Sequence, residues 1–181
     1  MMANAELERL LEPDYLGDLQ SRSIDEIRAM RDECRRAEDG LSYVRRQAQG
    51  RLDIVAAELQ RRAEGKGPSD AASIVDQLPS ILGHGVSTSG GITNVRTTSL
   101  EPPDDPSQLI VELEGILHES SLTGLGQISD EELRHLVDRL TEYERLVSDR
   151  RRALHDRLDA LQAEIVRRYK TGEVSVESLL R

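Results

Sequence analysis

Residues 38–53 read EDGLSYVRRQAQGRLD, and residues 144–159 read ERLVSDRRRALHDRLD. Both set Glu, Ser, Arg, an amide or imidazole, and Asp at steps of four, three, four and four: Glu38, Ser42, Arg45, Gln49, Asp53, then Glu144, Ser148, Arg151, His155, Asp159. Arg offers a planar fork of donors that grips phosphate oxygens or the O6/N7 edge of guanine, and it stacks on a base. Asp accepts two hydrogen bonds and matches the N1–H and N2–H₂ donor edge of guanine. Ser and Gln serve phosphate or ribose oxygens, while Glu steadies an Arg fork or accepts from a base amine. The set suits guanine plus phosphate better than an acidic peptide.

Such a ladder needs a long helix to carry it. At about 100° per residue, these steps stay inside a strip about 80° wide on a helical surface. Around the first ladder, Ile27, Met30, Cys34, Ala37, Leu41, Val44, Ala48, Val55 and Leu59 recur at alternating three- and four-residue steps, with Leu52 filling in. Around the second, Leu133, Leu136, Leu140, Tyr143, Val147, Leu154, Leu161 and Ile165 do the same, with Leu158 filling in. This is a coiled-coil seam, and every ladder residue directly follows a seam position. The polar strip therefore borders the seam and is expected to look along the groove between two helices.

The two stretches belong to an internal repeat. An offset of 106 aligns Leu10–Arg62 with Ile116–Arg168 without a gap, and about a third of the pairs are identical. Ser23 and Glu26 align with Ser129 and Glu132, each pair spaced as a capping box at a helix start. At the far ends AELQRR (57–62) aligns with AEIVRR (163–168), whose basic residues suit the negative end of a helix dipole. The reading is all-α: an antiparallel two-helix coiled coil made from a repeat, with short flanking helices and a long disordered linker. Its parts are a short helical segment (1–22), a first long helix (23–64), a linker (65–108), a second short segment (109–128), a second long helix (129–171) and a tail (172–181). The linker is rich in Gly, Ser, Thr and Pro, with one helical turn expected around Ser73–Leu82.

Composition narrows the function. There is neither Trp nor Phe, and hydrophobic residues make up only 37% against 32% charged, which favours thin helical packing over a thick globular core. The net charge of −10 opposes general nucleic-acid binding, although the run Arg150–Arg152 keeps that reading open. A lone cysteine, Cys34, excludes an internal disulfide and fits a reducing cytoplasm. Neither a transmembrane run nor a signal peptide is expected. His84, His118, His135 and His155 have no metal-ligand spacing, so no metal and no enzyme activity are expected.

The bland alternative is a passive coiled-coil scaffold whose ladder is only the charged flank such helices normally carry. Against it, Ser contributes little to ion pairing, and Gly40 and Gly50 interrupt the first helix at a cost of about 1 kcal/mol each. A solvated flank also does not need five residue types in one order, twice. The pattern Glu-x3-Ser-x2-Arg-x3-Gln-x3-Asp on two helices resembles the signature of the RsiG family of cyclic di-GMP-controlled anti-sigma factors. That resemblance implies an antiparallel coiled coil that binds a partly intercalated cyclic di-GMP dimer and sequesters WhiG, a sigma factor related to the flagellar ones. It implies a cytoplasmic, monomeric hairpin in a 1:1 complex with sigma, with no direct nucleic-acid or membrane partner. The first copy matches in full; the second carries His155 where the family has Gln, an imidazole that still donates, accepts or stacks.

Overall fold

The capping boxes form as spaced. In the computed structural model the Ser23 backbone N–H donates to Glu26 Oε2 at 2.7 Å and the Glu26 N–H donates to Ser23 Oγ at 3.2 Å. Ser129 and Glu132 repeat this exchange at 2.8 and 3.2 Å. Each box satisfies helix-start donors that have no partner inside the helix. These amide hydrogen bonds also hold the Glu26 and Glu132 carboxyls below the ordinary range.

The structure describes residues 2–68, 79, 108–117 and 122–173. Among them the elements are α1 (Met2–Leu11), a 3-10 turn (Leu19–Ser21), α2 (Ile24–Ala63), α3 (Gln108–Leu117), a second 3-10 turn (Leu122–Gln127) and α4 (Asp130–Thr171), with no strand. α2 has 40 residues and α4 has 42, each about 60 Å long at 1.5 Å per residue. Gly65 closes α2 in the left-handed region at φ 77°, where its N–H reaches Arg62 O and that of Lys66 reaches Arg61 O, a Schellman end. α1 and α3 lie at the same 106-residue offset as the long helices. The repeat therefore extends into the flanking helices. Most of the linker and tail, including the turn expected at Ser73–Leu82 apart from Pro79, lie outside the described residues.

Contacts divide the chain into two compact units, Met1–Ser42 with Ser148–Arg181, and Tyr43–Val147. In the first unit the start of α2 meets the end of α4. Arg28 bonds Tyr169, and Arg151 bonds Glu38, so residue numbers climb on one helix as they fall on the other. The core joins Leu7 and Leu10 of α1 and Tyr15 to Ile27, Met30, Cys34 and Leu41 of α2 and to Leu154, Leu161 and Ile165 of α4. Arg157 ties the unit to α1 by donating to Leu11 O, a carbonyl at the helix end, at 2.7 Å and to Glu12 O, which also accepts from the Tyr15 N–H, at 3.0 Å.

In the second unit the end of α2 runs against the start of α4, with Arg45 bonded to Glu144 and Arg62 to Asp130. Its core holds Val44, Ala48, Ile54 and Val55 with Leu109, Leu113, Leu125, Leu133, Leu136, Leu140, Tyr143 and Val147. Tyr143, expected in the core, is buried and its hydroxyl donates to Leu109 O on α3. The heptad reading accounts for nearly all of both seams; Ala37, Leu52, Leu59 and Leu158 are half-buried rather than buried. In each unit the pairing is antiparallel, as expected from the symmetry of the repeat together with the family resemblance.

Candidate ligand site

The ladder residues follow seam positions, so burial of the seam draws them to the helix–helix groove. In the first unit they build one polar cluster. Arg151 Nε lies 2.7 Å from Glu38 Oε1 and 2.8 Å from Ser42 Oγ, and Ser42 Oγ donates to the same Glu38 oxygen at 2.8 Å. His155 Nε2 stands 3.4 Å from that oxygen. Glu38 and Ser42 are each only 9% exposed. Burial alone would push the Glu38 carboxyl up. The hydrogen bonds from Ser42 and Arg151, with the charges of Arg151 and His155, outweigh it and hold the carboxyl below its ordinary value.

The second unit builds the complementary cluster. Arg45 Nε donates to Glu144 Oε1 at 2.8 Å, and Gln49 Nε2 donates to the same oxygen at 3.1 Å. In both units the pairing crosses the repeat: the glutamate of one copy holds the arginine of the other. The reason is distance. Glu38 and Arg45 are seven residues apart on one helix, about 10.5 Å along its axis, whereas the facing helix brings an arginine within hydrogen-bond reach.

These contacts use the Nε edge of each guanidinium. For Arg151, about a third exposed, the two Nη groups have no hydrogen-bond partner among the described residues. A guanidinium gripped on one edge presents its Nη pair in a set plane, which suits bidentate capture of an anion or a base edge. Ser148 is half-buried in the first unit, and Tyr43 is half-buried in the second. Asp53 and Asp159, the last rung of each ladder, are exposed and join neither cluster. Among the described residues no group of His, Cys, Asp and Glu side chains is arranged to hold a metal ion.

One pair of residues with a larger part than sequence suggested is Arg62 and Arg168. They are not merely charges at a helix end. Arg168, only 6% exposed, donates to Leu19 O at 2.6 Å and Arg22 O at 2.7 Å while Glu164 holds its Nε at 2.8 Å. Arg62 donates to Leu125 O and Ile128 O, both at 2.7 Å, while Glu58 holds its Nε at 2.7 Å. Each carbonyl in one set is the 106-offset equivalent of a carbonyl in the other. These arginines lock the turn before one long helix onto the end of its partner. The signal was present in the sequence as the repeated Glu-x3-Arg of AELQRR and AEIVRR, though nothing in it named the carbonyls.

Within each unit, then, two antiparallel helices carry a polar cluster assembled from two copies of one motif, which defines a duplicated helical protein. The RsiG-like family model matches residues 13–82 and 119–181, and the chain belongs to that family. It is thereby an anti-sigma factor with a sigma-factor partner. A comparison with curated proteins gives no match. No helix among the described residues is long and apolar enough to cross a membrane.

Proposed function

We propose that this anti-sigma factor is controlled by cyclic di-GMP, taken up as a dimer, and that its partner is a sigma factor of the WhiG or flagellar type. The chain acts without catalysis, in the cytoplasm, as a monomer in a 1:1 complex that keeps sigma from core RNA polymerase or promoter DNA. The observation that carries this reading is the crossed pairing of Glu38 with Arg151 and of Glu144 with Arg45. Each cluster needs both motif copies, so anything gripping a cluster also grips the helix pair. A ligand that favours the sigma-binding form by a few kcal/mol raises sigma affinity by the same coupling. The arginine forks, Ser42, Ser148, Gln49 and His155 supply donors for phosphate oxygens and base edges. Asp53 and Asp159, exposed and without partners among the described residues, supply acceptors for the guanine donor edge.

Titration calorimetry of the full chain with cyclic di-GMP, with and without sigma factor, tests this. Two ligands bound per complex are expected, with much weaker binding of cyclic di-AMP because adenine presents an acceptor at N1. No heat from cyclic di-GMP in either case would end the proposal, and equal affinity for both dinucleotides would remove the role given to the aspartates.

A second reading, the passive scaffold, is favoured by one observation: Arg45 and Arg151 are already neutralised by glutamates. It expects Arg45→Ala and Arg151→Ala to change partner binding by no more than about 1 kcal/mol, as partly exposed pairs do. A much larger loss of sigma binding, seen only with the nucleotide present, rules it out.

A further inference from the structure

The clusters differ in one residue type at an equivalent rung. In the second unit the side-chain amide of Gln49 donates to Glu144 Oε1, and an amide keeps the same charge at every physiological pH. In the first unit His155 holds that place, its Nε2 3.4 Å from Glu38 Oε1, and imidazole gains or loses a proton in the physiological range. The side chain is about a third exposed, so it is open to both solvent and a ligand.

The charged surroundings of this imidazole are defined. On α2 it faces Glu38; one turn earlier on that helix lie the buried thiol of Cys34 and Arg35, and two turns earlier Arg31, which is paired with Asp32. On α4 itself Arg151 stands one turn before it and the exposed Asp159 one turn after, with Arg152 and Asp156 between and exposed. From α1, Glu8 is occupied by Arg150. Among the described residues, Glu38 is the ion-pair partner within reach of the ring. The Glu38 charge is already answered by Arg151 and Ser42, so without a further anion the cluster is close to balanced.

An arriving anion changes that balance. Phosphodiester charge beside the ring favours imidazolium over imidazole, because an opposite charge within a few ångströms stabilises the charged form. We propose that His155 couples binding of an anionic cyclic dinucleotide to uptake of a proton, through the cluster of the first unit alone, with the imidazolium bridging Glu38 and the ligand's phosphate. This rests on the nucleotide reading above. The sign follows from linkage: the liganded form binds the proton more tightly, so affinity is greatest at low pH and declines as pH rises through the imidazole range.

The test is calorimetry of the full chain with sigma factor and cyclic di-GMP at roughly pH 6, 7 and 8, each in two buffers of different ionisation enthalpy. Wild type is expected to bind about threefold to tenfold more tightly at the acidic end and to draw a fraction of a proton from the buffer. Whatever its affinity at pH 7, His155→Gln is expected to lose both the slope and the proton uptake, and Gln49→His to steepen the slope. A flat profile with no proton uptake in wild type, or an unchanged slope in His155→Gln, overturns the coupling while leaving the nucleotide site intact. Absence of binding at every pH overturns the nucleotide reading and this inference with it. Should His155→Gln fail to fold, the buffer comparison on wild type decides alone.

Discussion

The two units are copies that kept different things. The arginine clamps are nearly superposable in chemistry: Arg168 on Leu19 and Arg22 carbonyls, Arg62 on Leu125 and Ile128 carbonyls, each braced by a glutamate four residues earlier. The seams, by contrast, have drifted, with Cys34 against Leu140, Ala37 against Tyr143 and Ala48 against Leu154 at equivalent places. Apolar packing tolerates exchange so long as total volume is filled. A buried guanidinium does not, since its donors need acceptors at fixed places and its charge needs a carboxylate. The ladder clusters fall between. Their Glu–Arg exchange is retained, but the first unit buries Glu38 and adds an imidazole, while Glu144 is half-buried and paired with an amide.

If the clamps are as alike as their hydrogen bonds, breaking either should cost about the same. Arg168→Ala takes the donor from two carbonyls and one of two arginines from half-buried Glu164, and Arg62→Ala does the same to two carbonyls and to Glu58, only 4% exposed, which keeps Arg61. Each is expected to lower unfolding free energy by about 3 kcal/mol, read by urea denaturation. A loss below about 1 kcal/mol for either would show that its clamp is dispensable and the likeness superficial.

The clusters should differ where the clamps agree. Glu38→Ala is expected to cost about 2 kcal/mol and Glu144→Ala about 1 kcal/mol, the difference reflecting the burial of Glu38. Acid sharpens the contrast. The folded-state carboxyl of Glu38 lies below its ordinary value, so its contribution is present above the usual carboxyl range near 4.3 and is lost as pH falls through the folded value. Glu38→Gln should accordingly flatten part of the stability loss between about pH 5 and pH 3, measured by thermal melts. Identical acid profiles for Glu38→Gln and wild type would contradict the assignment.

The smallest effect concerns the glycine that stands in the first copy where the second has Leu146. A Cβ added at Gly40 meets nothing within 4 Å. Gly40→Ala should therefore raise stability by about 0.5–1 kcal/mol through helix propensity, with nucleotide and sigma binding unchanged. Weakened sigma binding in a stabilised variant would mark this open stretch of α2 as a contact surface.

Much of this architecture was legible in residue order, because it is local. Ser23 and Glu26, or Ser129 and Glu132, declare a helix start within one turn. A seam at three- and four-residue steps declares both a helix and its buried face, and the 106-residue offset declares that two such helices match. From these the all-helical class and the seams followed; antiparallel pairing needed the family resemblance as well, because the linker is long enough for a parallel return. The partners within the ladder did not follow, since they depend on the register of one helix against another. Only with both helices in place did Glu38 take Arg151 and Glu144 take Arg45, while Asp53 and Asp159 stayed exposed. Only then did Arg62 and Arg168 change from charges at helix ends into buried clamps on distant carbonyls. Backbone carbonyls look the same in every sequence, so which of them an arginine meets is decided by the three-dimensional path of the chain.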